Sequence, residues 1–308
     1  MRKLKYHLVD VFTDRAFGGN PLAVFTNARG LPTALMQKIA KEFNLSETTF
    51  VFPPASPEND YKLRIFTPGT EVPMAGHPTV GTSFVLALEK LLDFKAPRSD
   101  FRLEENVGVI PIILEGSGDR PDFVVMTQPL PVFEPEFTDR ALVAELLSIT
   151  PADLDENLPA QVVTCGVPFL YVPLKNLEVA GRVKLRLDVW ESHFKGTSAA
   201  HIFVFSREVE NEGSTVHSRM FAPTMGISED PATGAASGPL GSYLVKHGVT
   251  PDAPTVRIVS EQGLEMGRPS FVNIEIDRVG GEITGVRISG QSYYMGEGYL
   301  EIDMTGWE

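Results

Sequence analysis

The chain has 308 residues, enough for two domains of ordinary size, and 43% hydrophobic against 22% charged content marks a folded globular protein. A formal charge of −13, from 27 basic and 40 acidic residues, argues against nucleic acid as a partner, because phosphate repels such a surface. No apolar run approaches the roughly 18 residues a membrane helix needs, and the single cysteine, Cys165, excludes an internal disulfide and points to a reducing compartment, most simply the cytoplasm.

The N-terminal MRKLKYHLVDVF is basic but passes directly into strand-like alternation, with no signal-peptide core. Strands are expected at 6–12, 22–25, 48–52, 62–66, 109–114 and 123–126. Thr33–Phe43 is amphipathic, with Leu35, Met36, Ile39 and Phe43 on one face. The segment 78–92 is apolar nearly all round and reads as a buried helix wrapped by sheet. Residues 127–135 (TQPLPVFEP) read as a linker, since three prolines in so short a stretch oppose ladder pairing. Further strands are expected at 161–164, 169–173, 200–205, 256–259, 272–276 and 286–288. A helix rich in tiny residues should open near Asp230-Pro231 and run to about Val245, disturbed at Pro239. The closing segment, 290–302, reads as a final strand or hairpin.

Cofactor signatures are missing: there is no GxxxxGK[ST], no GxGxxG after a strand, no HExxH, no CxxC and no GxSxG. The histidines at 7, 77, 193, 201, 217 and 247 are scattered, so no cofactor and no metal is expected.

Three motifs recur in order. GNPLAVF (19–25) resembles GVPFLYV (166–172), RIFTP (64–68) resembles RMFAP (219–223), and EVPMAG (71–76) resembles EDPATG (229–234). Their slowly drifting offset suggests an internal duplication, each half a curved sheet around one central helix. In both halves the third motif runs into that helix. In the first, Gly76-His77-Pro78 fits a helix start with His77 near the N-cap. Helix N-termini offer unpaired N–H groups and a positive dipole end, so two such starts facing one cleft would suit a small carboxylic acid. Good helix capping is the plainer reading of either motif alone. The stretch NLSETTFVF (44–52) raises a similar choice, since Glu47 sits where a helical pattern gives way to a strand. It is either a polar junction residue or a carboxylate placed for chemistry.

Taken together, "VDVFTDRAFGGNPLAVF", "NLSETTFV", "RIFTPGTEVPMAGHPTVG", "GISEDPATGAASGPL" and "EQGLEMGRPSFV" resemble the PhzF-like family of phenazine-biosynthesis proteins over nearly the whole chain. The resemblance implies an α+β, diaminopimelate-epimerase-like fold: two pseudo-symmetric, β-barrel-like halves, each enclosing a helix. It implies a first half of 1–128 plus 290–308 and a second of 129–289. Racemases of this fold use two opposed cysteines at the helix starts. The comparable positions here are Ala75 and Ala232 or Thr233, while Cys165 lies in another motif, so a two-thiol racemase is not expected.

The family pattern implies instead a cofactor-independent isomerase with Glu47 as its proton shuttle. It also implies a pocket lined by Ser46, His77 and Asp230, with the backbone at Gly76 and Gly234 holding a substrate carboxylate. A serine commonly follows "ATG" in this family; here the residue is Ala235, and its hydroxyl contact to a phenazine precursor is missing. A homodimer is implied as well. Two alternatives stand beside this reading: an amino-acid epimerase using Glu47 with His77 or Asp230, and a non-catalytic carboxylate-binding protein.

Overall fold

Leu22-Ala-Val-Phe25 has no polar residue to turn toward water, the pattern of a strand covered on both faces, and all four residues are buried. The computed structural model describes residues 1–307 and divides into two units, Met1–Thr127 with the C-terminal segment from Ser289, and Gln128–Ile288.

In the first unit, β1 (Arg2–Val11), β2 (Asn20–Phe25), β3 (Glu47–Phe52), β4 (Tyr61–Phe66), β5 (Glu71–Val72), β6 (Arg98–Glu105), β7 (Gly108–Glu115) and β8 (Phe123–Gln128) are joined by the last strand, Ser292–Ile302. That strand runs antiparallel along β1, from Arg2 opposite Ile302 to Val11 opposite Ser292. The sheet continues β1–β2 antiparallel, β2–β3 parallel and β3–β4 antiparallel, with β5 and β6 both on β4. Outside it lies α1 (Thr33–Phe43), whose Leu35, Met36 and Ile39 pack with Phe25, Phe50 and Phe66; burying each such side chain is worth about 1.5–3 kcal/mol. Inside lies α2 (Gly76–Leu88), buried from Gly76 to Ala87 and touching β1, β2, β3, β7 and the last strand, so the sheet curls round it. Gly81 permits that closeness: a Cβ there would come within 2.5 Å of the Val11 side chain.

The second unit repeats this path. Its strands are β9 (Val132–Phe137), β10 (Ala160–Thr164), β11 (Pro168–Leu174), β12 (Ile202–Ser206), β13 (Val216–Ala222), β14 (Ile227–Asp230), β15 (Thr255–Gln262), β16 (Ser270–Val279) and β17 (Glu282–Gly290). β9–β10–β11 are antiparallel, β11–β12 parallel, β12–β13 antiparallel, with β14 and β15 both on β13. Three short helices, α3 (Arg140–Leu146), α4 (Leu177–Arg182) and α5 (Leu187–His193), cover the outer face around Trp190 and Phe194. The inner helix, α6 (Gly234–Lys246), is buried from Gly234 to Val245.

The duplicated motifs even form the same bonds. Arg64 grips Glu71 with two hydrogen bonds of 2.8 and 2.6 Å, and Arg219 grips Glu229 with two of 2.8 and 2.9 Å. Each guanidinium also lies 5.2 Å from the ring centre of the phenylalanine two residues on.

Several sequence expectations need correction. The expected linker 127–135 is largely strand, because β8 reaches Gln128 and β9 starts at Val132. Pro135 is tolerated there because the ladder with β10 shifts register between Gln161 and Val163, near where its missing N–H falls. Helix α6 is not broken at Pro239; around it, the Gly234 and Ala236 carbonyls accept from Gln128 and the Tyr171 hydroxyl. The N-cap of α2 is Ala75, so His77 lies inside the first turn rather than at the cap. Strand β6 escaped the sequence reading, since Arg98, Asp100 and Arg102 make its exposed face charged.

Candidate active site

Two polar stations stand at the starts of the two inner helices. In the first unit, α1 ends on Asn44 in the left-handed conformation, φ 51° and ψ 34°, which turns the chain sharply into β3. Glu47 is the first residue of β3 and lies opposite Leu22 of the parallel β2. Asn20, which opens β2, therefore sits at the same end of the sheet. It follows Gly19, whose φ of 60° brings the chain so close to β1 that a Cβ would meet the Val11 carbonyl at 2.3 Å.

These strand starts meet the first turn of α2. His77 is 3% exposed and Glu47 7%, and His77 Nε2 lies 3.2 Å from Glu47 Oε2. The hydrogen of Nε2 is not aligned on the oxygen as in a full hydrogen bond. Asn20 Nδ2 lies 3.2 Å from His77 Nδ1 on the other side of the ring. Burial pushes His77 down to about 3, so the imidazole is neutral near pH 7. The Ala75 N-cap gives α2 no side-chain cap and no acidic residue stands in its first turn, the setting in which a helix start attracts an anion. Ser46 is half-buried in the turn before Glu47, and Gly76 is buried beside His77.

Two residues beyond His77, Thr79 Oγ1 lies 2.6 Å from the Ala75 carbonyl and 2.5 Å from Glu105 Oε1. A hydroxyl has one proton, and a backbone carbonyl can only accept. Thr79 therefore donates to Ala75 and accepts from Glu105, which requires a protonated Glu105. Burial independently pushes that carboxyl up to about 8.

In the second unit, Asp230 ends β14 and is 3% exposed. Thr233 Oγ1 donates to Asp230 Oδ2 at 2.6 Å. Gln262 Nε2 donates to the Asp230 carbonyl at 2.7 Å and to Thr233 Oγ1 at 3.0 Å, while Thr233 N donates back to Gln262 Oε1 at 3.2 Å. Gly234 and Ala235 are the first two residues of α6, both buried, and its first turn likewise has no side-chain cap.

Of the residues singled out from sequence, Glu47, Gly76 and His77 come together in the first unit, with Ser46 adjacent in the chain. Asp230, Gly234 and Ala235 do so in the second. Asn20, Glu105 and Gln262 were missed as site residues. Asn20 and Gln262 do stand in quoted motifs, GNP and EQG, which was the signal available. Cys165 is 1% exposed and burial pushes its thiol up to about 12, as for a core residue. Among the described residues one cluster has metal-ligand geometry, His7 with Glu89 and Glu297. The Lys5 ammonium already lies between those carboxylates, 3.3 and 2.9 Å away.

The chain matches the family described as phenazine biosynthesis-like proteins over residues 9–298. It belongs to that family. An uncharacterized isomerase of Mesorhizobium japonicum is 38% identical, over 98% of this chain and all of that protein. The trans-2,3-dihydro-3-hydroxyanthranilate isomerase of Pseudomonas fluorescens is 33% identical, over 96% of this chain and 98% of its own. A crystal structure of a Bacillus anthracis phenazine biosynthesis protein of the PhzF family superposes with a TM-score of 0.89 at 31% identity, covering 98% of this chain and all of that one. This PhzF-like chain is thus an isomerase with the α+β, diaminopimelate-epimerase-like fold that the resemblance implied.

Proposed function

We propose that the chain isomerises a small amino carboxylic acid without a cofactor, Glu47 removing a proton from one carbon and returning it to another of the same molecule. The observation that carries this is a carboxylate, 7% exposed, held 3.2 Å from a neutral imidazole at an uncapped helix start. A carboxylate sheltered from water suits proton transfer, which such a group accelerates by roughly 10²–10⁴. The first turns of α2 and of α6, neither capped by its N-cap side chain, each have the character of a carboxylate anchor. Asp230, held by Thr233 and Gln262, suits a substrate amino group. The Pseudomonas relatives act on trans-2,3-dihydro-3-hydroxyanthranilate, which has both groups. Ala235, in place of the hydroxyl common at that position, favours a related acid that does not need this contact.

A two-thiol racemase finds no support, because Ala75, Ala232 and Thr233 occupy the places a thiol pair would need. The homodimer implied by the resemblance is retained, with the exposed Tyr293, Met295 and Tyr299 on one face of the last strand as its apolar support; light scattering tests it. For the chemistry, the enzyme is incubated in heavy water with trans-2,3-dihydro-3-hydroxyanthranilate and with small amino acids. Deuterium at a new carbon together with double-bond movement supports the isomerase. Inversion at one stereocentre would replace it by an epimerase, and no exchange with any bound acid by a binding protein.

A further inference from the structure

The buried ring of His77 has a partner on each side, and the two partners make compatible demands. On one side is the Asn20 amide, 3.2 Å from Nδ1; on the other is Glu47 Oε2, 3.2 Å from Nε2. A neutral imidazole has one N–H and one bare nitrogen. If the Asn20 oxygen faced Nδ1, the proton would sit there and a bare Nε2 would confront a carboxylate oxygen, lone pair against lone pair. With the Asn20 N–H donating to Nδ1, the proton sits on Nε2 and points toward Glu47. Asn20 itself is 0% exposed and fixed at the start of β2, so water does not compete for the position.

We infer that Asn20 is a positioning residue that locks His77 as the Nε2–H tautomer and thereby decides which oxygen of Glu47 carries the substrate proton. Resting on the proposed function, the consequence is specific. Oε2 is the oxygen that faces the His77 Nε2–H, 3.2 Å away, in the carboxylate state, and it stays on the acceptor side through the cycle. The pair of electrons that takes the substrate proton is on Oε1, and the same O–H bond breaks when the proton is returned to the product carbon. His77 neither gains nor loses a proton. The opposite tautomer would invite the proton onto Oε2, between Glu47 and the ring, where it is held away from the substrate.

The tautomer is read directly by long-range 1H–15N correlation on the 15N-labelled full-length protein, with the His77 signals assigned by their loss in His77→Gln. The expected pattern is a protonated Nε2 and a bare Nδ1 at neutral pH. A protonated Nδ1 or a doubly protonated ring overturns the inference, whatever the enzyme turns over. Two variants then test the consequence, with folding checked by circular dichroism. Asn20→Asp demands a proton on Nδ1 and should reverse or doubly protonate the ring; Asn20→Leu, which removes the donor, should give a mixture of tautomers. With trans-2,3-dihydro-3-hydroxyanthranilate as probe, kcat should fall about 10- to 100-fold in Asn20→Asp with KM within about twofold. An altered tautomer with unchanged kcat would refute the role of Asn20. A wild-type enzyme with the expected tautomer but no turnover of the probe would instead count against the proposed substrate.

Discussion

Glu105 offers the sharpest test of the electrostatics around the first helix start. Its carboxyl is 6% exposed and, on the hydrogen-bond count at Thr79, protonated. Burial raises it from 4.5 to about 8. Below about pH 4.5 the folded and unfolded chains both carry this proton. Between that and about pH 8 only the folded chain does, so stability is lost as pH rises through this window. At about 1.4 kcal/mol per pH unit, the loss totals about 5 kcal/mol.

Glu105→Gln is neutral at every pH, nearly the same shape, and can still donate to Thr79 Oγ1. Its stability relative to wild type should therefore rise with pH, by about 3 kcal/mol between about pH 5 and about pH 7.5. Urea unfolding of both proteins at half-unit pH steps measures this, and contributions from other groups cancel in the difference. Parallel profiles, with the variant offset by a constant amount, would show that Glu105 is already ionised in the folded protein and would refute the proton count.

Replacing Glu47 by Gln should lower kcat by about 10²–10⁴ while leaving the circular dichroism unchanged; full turnover would remove Glu47 from the chemistry. His217, 1% exposed, is held between Glu261 at 3.1 Å and Glu265 at 2.9 Å. Burial opposes its charge, but bonds to the two carboxylates outweigh that and raise it. Its contribution is therefore complete below the ordinary histidine range and fades as pH rises through the raised folded value. His217→Ala should cost about 3 kcal/mol or more in chemical denaturation at pH 6 and less at pH 9; a cost growing with pH would contradict the pairing. Cys165, with its thiol pushed up to about 12, should resist iodoacetamide at pH 8 in the native protein and react once urea unfolds it, as mass spectrometry would show.

The order of strands along most of the chain was legible because covered strands leave continuous apolar runs such as Leu22–Phe25, and amphipathic α1 writes its face in every third or fourth residue. The duplication was legible for a comparable reason: each half needs an Arg–Glu clasp and an uncapped helix start, so RIF…EVP and RMF…EDP recur. Neither signal reaches elements whose pairing compensates for poor local sequence. β6 pairs despite its charged outer face, β9 despite Pro135, and α6 continues through Pro239, with Gln128 and Tyr171 bonding the carbonyls on either side of Ala235, whose helical donor the proline removes. At the site, the sequence could mark Glu47, His77 and Asp230 only through a resemblance of motifs. Which side chains touch was decided by tertiary structure. The parallel pairing of β2 with β3 carries Asn20 to the end of the sheet where Glu47 begins, and the entry of α2 inserts His77 between them. Burial there, which no local run of residues encodes, sets the charge of the ring and of Glu105, because desolvation depends on everything packed around a group rather than on its neighbours in the chain.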